Sequence, residues 1–308
     1  MFSIALTNVL ITLFYILPGY LLKKGNRAKE EHLSTLSAIL VYVGTPCLEI
    51  SAFMSMDYTP EVARNMVWFF LTTLLLQGAF MAIIWYFCRK RYHESKFRIL
   101  TIASVLGNVG FFGLPIVKAL LPNNPEVACY SSCFMVSMNI LVFTIGVFAL
   151  TGDTRYMSLK SALLNPTVFG FLAGLPFFIW GIGDYLPMPL VNAISLIGSM
   201  TTPLCMFILG IRLASMSFRK IFAEPMVYLA IFLKLLVFPV FSYLLASLLP
   251  LPLSFRASVL ILSATPCASV ILNLAEMHGG KTEMPADCIL MSTLLCFLTI
   301  PLLTLLVS

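Results

Sequence analysis

Six side chains that can carry charge or donate hydrogen bonds fall inside long apolar runs of this 308-residue chain: Glu49, Gln77, Asn108, Asn139, Lys234 and Asn273. In a hydrocarbon setting such groups need a partner, and each is a functional candidate by default. Asn108 and Asn139 lie at mid-depth in their runs, where their amides are placed either to donate to a substrate carboxylate or to hydrogen-bond between helices. Asn273 is nearer a segment end, which suits packing or capping. Lys234 stands nine residues into an otherwise apolar run, too deep to reach water by stretching, so it must be paired, neutralised or in a wet cavity. It could compensate charge where a carrier would otherwise bind a coupling cation. Glu49 follows Pro46 by three residues and is either a partner for Lys234, a proton carrier or a vestibule residue.

The elements that hold these groups are membrane segments. Hydrophobic residues make up 60% of the chain, charged residues 10%, and the mean hydropathy is +0.98. Soluble domains carry about 25% charged residues, so this is an all-α polytopic membrane protein. Ten runs are long enough to span a bilayer: 2–22, 32–54, 65–88, 98–120, 127–150, 164–184, 188–212, 226–249, 254–277 and 286–307. The connections after odd-numbered runs hold fifteen of the lysines and arginines, including Arg212, Arg219 and Lys220, against three (Arg64, Lys118, Arg256) on the other side. The positive-inside rule then puts the odd connections in the cytoplasm and both termini outside, in a multi-pass cell membrane protein. The first run resembles a signal peptide only superficially, because its charges follow the apolar stretch and no small-residue cleavage site appears; it reads as a retained helix.

Two runs are interrupted near their centres, at Gly107-Asn108-Val109-Gly110-Phe111-Phe112-Gly113-Leu114-Pro115 and at Ser263-Ala264-Thr265-Pro266-Cys267-Ala268-Ser269. A proline at bilayer depth frees backbone groups that lipid cannot satisfy, so such a break must line a cavity or a neighbouring helix. The breaks recur: Pro46 and Pro203 are 157 residues apart, Pro115 and Pro266 are 151 apart. Five segments per half is an odd number. The second half (164–308) therefore enters the membrane inverted relative to the first (1–150), and the proline-broken fourth and ninth segments are expected to cross at the midplane. Half-helix N-termini meeting there favour an anion, with a carboxylate as the natural occupant. Gly107, Gly110 and Gly113 alone would suit close helix packing, but with Asn108 and Pro115 beside them and the matching break at Pro266, Cys267 and Ala268 they read as a substrate site. Pro46 and Pro203, each preceded by threonine, read as kinks in a scaffold.

Other classes of function find little support. The eight cysteines are scattered through the membrane runs as packing residues, and the three histidines lie near segment ends, so neither a metal site nor a bound cofactor is expected. Gly181-Ile182-Gly183-Asp184 matches the GxGD of intramembrane aspartyl proteases, but no second membrane aspartate is available to share a proton and Asp184 sits at a segment end. No nucleotide-binding loop occurs, and the +6 net charge is topological rather than a nucleic-acid footprint.

The run Asn108 to Pro115, followed by Asn139-Ile140-Leu141-Val142-Phe143-Thr144-Ile145-Gly146, resembles the auxin efflux carrier family, which includes plant PIN-type carriers and bacterial malate or malonate permeases. Ala264-Thr265-Pro266 is a shorter match in the ninth segment. The resemblance spans essentially the whole chain. It implies a 5+5 inverted repeat, a scaffold of segments 1, 2, 6 and 7, a transport unit of segments 3–5 and 8–10, elevator-type alternating access and a homodimer. It also implies that a substrate carboxylate meets Asn108 and the backbone around Pro115 and Pro266. Only about fifteen residues, 151–165, join the halves, so the long central loop of many plant members is missing and the plain permease is the closer comparison. The expected activity is secondary transport of small organic anions, such as malate, malonate or auxin-like acids, with a coupling proton or sodium ion left open. A bile-acid-type sodium symporter is the alternative.

Overall fold

A computed structural model of the chain describes residues 1–215, 224–278 and 281–307. Arg219 and Lys220, two of the connection cations, fall outside them. Among the described residues the chain is all-helical, with no named strand. Its elements are α1 (Phe2–Lys24), α2 (His32–Met54), α3 (Pro60–Cys88), α4 (Ser95–Ala103), α5 (Val109–Leu120), α6 (Glu126–Thr151) and α7 (Pro166–Trp180). Then come α8 (Met188–Ser215), α9 (Pro225–Ser247), α10 (Leu253–Ser263), α11 (Val270–Met277) and α12 (Glu283–Leu306). Eight helical stretches among the described residues are long and apolar enough to cross a membrane. The runs expected at 98–120 and 254–277 are instead the interrupted pairs α4–α5 and α10–α11. Large apolar side chains such as Phe14, Leu75, Phe87, Phe169 and Leu196 stay exposed on the outer helices, as suits a surface bathed in lipid.

The prolines act differently from expectation in one place. The first interruption lies at Ser104–Asn108, upstream of Pro115, which sits inside the second half-helix. Three wide π turns, Ile39–Gly44, Val109–Gly113 and Leu233–Val237, each end two residues before a proline: Pro46, Pro115 and Pro239. A π turn shifts the local hydrogen-bond pattern around the ring and its missing N–H, so the helix continues instead of stopping. Pro266 does lie in its interruption. The reading of Pro115 as the break point is therefore corrected by about one helical turn or more.

Local signals set several boundaries. The Thr59 side chain caps α3 through the Val62 N–H at 3.2 Å, starting that helix five residues earlier than hydropathy suggested. Asn165 caps α7 through the Val168 N–H at 3.0 Å. Gly181 ends α7 in a left-handed conformation (φ 61°), a backbone shape that glycine adopts without strain. Asp184 follows in a short 3-10 turn, away from any helix core.

Helix α2 packs against α7 and α8, the second half of α1 against α8, α3 against α6, and α9 against α10 and α12. Two contacts depend on glycine. A Cβ at Gly210 would overlap the Ile16 carbonyl and lie 2.8 Å from the Tyr20 nitrogen, so α1 and α8 touch backbone to backbone. One at Gly170 would lie 2.7 Å from the Pro46 Cα, which brings α7 onto α2. Such close approach drives association in lipid, where apolar area alone gives no preference for protein over solvent. α6 runs through the centre of the molecule, with nearly every residue from Val127 to Asn139 buried.

Candidate functional site

The two interrupted regions pass each other and pair. Gly107 and Cys267 form an isolated antiparallel bridge. The Asn108 N–H donates to the Pro266 carbonyl at 2.8 Å, and the Ala268 N–H donates to the Leu106 carbonyl at 3.1 Å. The Cys267 N–H donates to the Ser292 hydroxyl of α12 at 2.9 Å, and the Cys267 thiol points to the Ala103 carbonyl at 3.2 Å. Backbone groups released by the breaks are thus satisfied within protein, as hydrocarbon depth demands. The sequence led us to expect N–H groups turned toward an anion; in this conformation those of Asn108, Cys267 and Ala268 are engaged with protein.

Asn108 is the junction of the crossing. Its carbonyl accepts the Phe112 and Gly113 N–H groups at 3.2 and 3.1 Å, which starts the α5 turn, and its side-chain amide donates to the Cys205 sulfur of α8 at 3.7 Å. The amide therefore faces out of the crossing toward α8. The glycines beside it are covered by protein: an added Cβ on Gly113 would lie 2.7 Å from Thr265 Cγ2, and one on Gly110 would overlap the Met135 thioether. Pro115 is half-buried on α5, while Pro266, Cys267 and Ala268 are buried at the crossing. Asn139 is buried in α6, and its amide donates to the Met135 carbonyl of its own helix at 2.9 Å, with no interhelical hydrogen bond among the described residues.

Lys234 reaches the crossing from α9. It is fully buried on the π turn, and its ammonium donates to the carbonyl of Ser263, the last residue of α10, at 2.7 Å. A cation there meets the negative end of the α10 dipole. The Phe238 ring centroid lies 5.2 Å away, and an added Cβ on Gly107 would stand 2.8 Å from Nζ. Glu49 is elsewhere, between α2, α6 and α7, and neither of its carboxyl oxygens has a hydrogen-bond partner. The pairing of Glu49 with Lys234 considered from the sequence is not what the structure shows. Gln77 joins α3 to α6 by donating to the Ser137 hydroxyl at 2.9 Å.

A cavity of about 1470 Å³ opens at the end of the molecule that carries the connections after α1, α6, α8 and α11. Ala38, Val41, Tyr42 and Pro46 of α2, Phe143 of α6, Phe169 of α7, and Val270 and Asn273 of α11 line it, with Lys160 and Arg212 as its cations. Arg212 of α8 binds Glu276 of α11 at 2.7 Å and donates to the Asn273 side chain at 3.2 Å, bridging the cavity floor. A second gap of about 20 Å³, room for one water, lies between Arg212, Ser269, Leu272 and Ala286 and leads toward the crossing. Of the candidates read from the sequence only Asn273 lines the large cavity; Glu49, Asn108, Gly110, Gly113, Pro115, Asn139, Lys234, Pro266, Cys267 and Ala268 do not. Arg212, Cys205 and Ser292 were not foreseen as site residues; the spacing of Asn273 and Glu276 on one helix face was the available signal for the Arg212 cluster. No three His, Cys, Asp or Glu residues group closely enough to hold a metal ion among the described residues.

The family model described as Membrane transport protein matches the chain over residues 4–157 and 150–304. An uncharacterised transporter of Methanothermobacter thermautotrophicus is 27% identical over 311 residues, covering 96% of both chains. One of Methanocaldococcus jannaschii is 26% identical over 302 residues, again covering 96% of each. A Rhizobium meliloti protein provisionally named a malonate transporter is 24% identical over 311 residues, covering 96% of this chain and 93% of its own.

Proposed function

Since the chain belongs to the Membrane transport protein family, we propose that it is a secondary carrier of small organic anions, working by elevator-type alternating access. It is a transporter and not an enzyme. The observation that carries the anion reading is the Lys234 side chain held against the crossing of two interrupted helices, from which the Asn108 amide faces α8. A lysine amine that can take up a proton and an amide donor are what a carboxylate would be bound by at membrane depth. The malonate in the name of the Rhizobium relative makes dicarboxylates the first substrates to try.

In this reading the ten crossings form a 5+5 inverted repeat, residues 1–150 and 164–308. α1, α2, α7 and α8 make a scaffold, and α3–α6 with α9–α12 make the moving unit, a division supported by the close α1–α8 and α2–α7 contacts. The charge bias of the connections supports a cytoplasmic side for the large cavity, with both termini outside a cell membrane. Asn108, Asn139 and the backbone around Pro115, Pro266, Cys267 and Ala268 would then meet substrate once the moving unit separates from α8. A homodimer through the scaffold follows the family resemblance.

The test is charge movement in proteoliposomes on solid-supported membranes, offering malonate, malate, other mono- and dicarboxylates and an aromatic acid, with and without sodium and a pH gradient. A saturable current with a carboxylate, paired with radiolabel exchange for electroneutral turnover, is the expected result. Absence of both for every acid in the panel would refute the anion-carrier reading.

A further inference from the structure

Building on the carrier reading, we propose that Glu49 is the proton site of this transporter: a carboxyl that holds a proton while α6 covers it and gives the proton up when α6 slides away.

Both Glu49 oxygens are buried without a hydrogen-bond partner, and the residue is 1% exposed. An ionised carboxylate left so is strongly disfavoured, whereas a protonated one sheds most of that penalty. Among the described residues nothing around it supplies a counter-charge. From α6 come Ser132 and the thiols of Cys129 and Cys133. The Ser132 hydroxyl is close enough to act on the Glu49 carboxyl, and its hydrogen bond is to its own Ala128 carbonyl at 3.3 Å. α7 presents Gly170 against the Glu49 Cβ and Cγ, and no residue from Pro166 to Trp180 is titratable; the same holds for Met188 to Ser199 of α8. Cys47 is the one other titratable group nearby on α2 itself. Lys118 and Glu126 act on Cys129 and make no ion pair with Glu49.

Position gives the proton a route. Ala38, Tyr42 and Pro46 line the cavity from one face of α2, and Glu49, one turn beyond Pro46, continues that stripe past the cavity floor. A proton passes from cavity water to a carboxylate oxygen, and no other bond changes. A sodium ion fits poorly: hard cations gather six or more oxygens, and here a single carboxyl is accompanied by thiols and one hydroxyl already in use. Glu49 belongs to α2 and its cover to α6, so movement of α6 along α2 exchanges an apolar lid for water. Protonation then favours the covered conformation, and its loss favours sliding.

The experiment has two arms. Infrared difference spectra of the protein in lipid, titrated with acid, are expected to show a protonated-carboxyl band at neutral pH that Glu49→Gln removes. Malonate counterflow in proteoliposomes is expected to vary by up to about tenfold per pH unit across one range, with a flat profile for Glu49→Gln and a displaced one for Glu49→Asp. A wild-type spectrum indistinguishable from that of Glu49→Gln overturns the proposal, as does a Glu49→Gln carrier that keeps the wild-type pH profile. Should Glu49→Gln fail to fold, the Asp variant decides both arms, since an unmoved band and profile would also overturn it. The infrared arm needs no substrate. An intact band without counterflow of any acid would therefore refute the carrier reading and leave proton binding standing.

Discussion

Replacing Lys234 with methionine is the sharpest probe of the crossing, because methionine keeps the length and apolar volume of the side chain while removing its charge and its donor. The 2.7 Å bond to the Ser263 carbonyl disappears, leaving that carbonyl unpaired at about 1–3 kcal/mol. Against this, the buried cation no longer has to be stripped of water, a penalty of several kcal/mol that methionine avoids. The two effects oppose each other, so the folded protein should survive with a modest change in thermal midpoint. Substrate binding has no such compensation. For a carboxylate bound about 5 Å from a protonated Nζ, the attraction at an effective dielectric of about 20 is about 3 kcal/mol. Losing it weakens binding by roughly two orders of magnitude. Malonate-dependent thermal shift and the half-saturation concentration of transport measure the effect, with differential scanning fluorimetry reporting folding separately. A Lys234→Met carrier that folds and whose half-saturation stays within about threefold of wild type would refute the counter-charge argument.

Asn108→Ala should abolish transport while lowering stability by less than about 1 kcal/mol, because its backbone bond to Pro266 survives and the amide makes only the 3.7 Å sulfur contact; normal uptake kinetics would remove Asn108 from the site. Gly170→Val should destabilise by about 1–3 kcal/mol, read as a lower melting temperature in detergent, since even the first added carbon would lie 2.7 Å from the Pro46 Cα. Arg212→Gln should favour separation of α8 from α11 by up to about 1 kcal/mol, the scale of a partly exposed ion pair, and raise maleimide labelling of a cysteine introduced at Leu272 about two- to fivefold. Unchanged labelling would leave the Arg212–Glu276 pair as surface decoration.

How much of this could be read in the sequence differs by kind of signal. Membrane segments were legible because every turn of a spanning helix must satisfy its own backbone, which forces long apolar runs that composition cannot hide. The second interruption was legible at Pro266 because that proline lies in it. The first was misplaced toward Pro115, and the reason is local: a wide turn at Val109–Gly113 takes up the ring, so that proline bends a helix it does not end. Polar residues in hydrocarbon were read as needing partners; those of Lys234 and Asn108 lie 29 and 97 residues away, distances over which spacing carries no information, and the Glu49 oxygens have none. The same limit hid Arg212, whose partner carboxylate lies 64 positions on.

What stops the first half-helix at Ser104 is then the crossing itself. Two chains can approach closely enough to exchange the Asn108–Pro266 and Ala268–Leu106 bonds only where neither side chain intrudes, and Gly107 provides that gap. A methyl there would meet the Thr265 hydroxyl and stand 2.8 Å from the lysine nitrogen. The gap opposite the bridge is filled by Thr265 and Lys234. The two interruptions are alike in backbone and unlike in side chains: among the described residues a lysine amine reaches them from α9, against the carbonyl end of α10. An anion arriving at such a centre would find one side prepared for it, and Gly107→Ala, by displacing that ammonium, should impair transport as strongly as removing the charge.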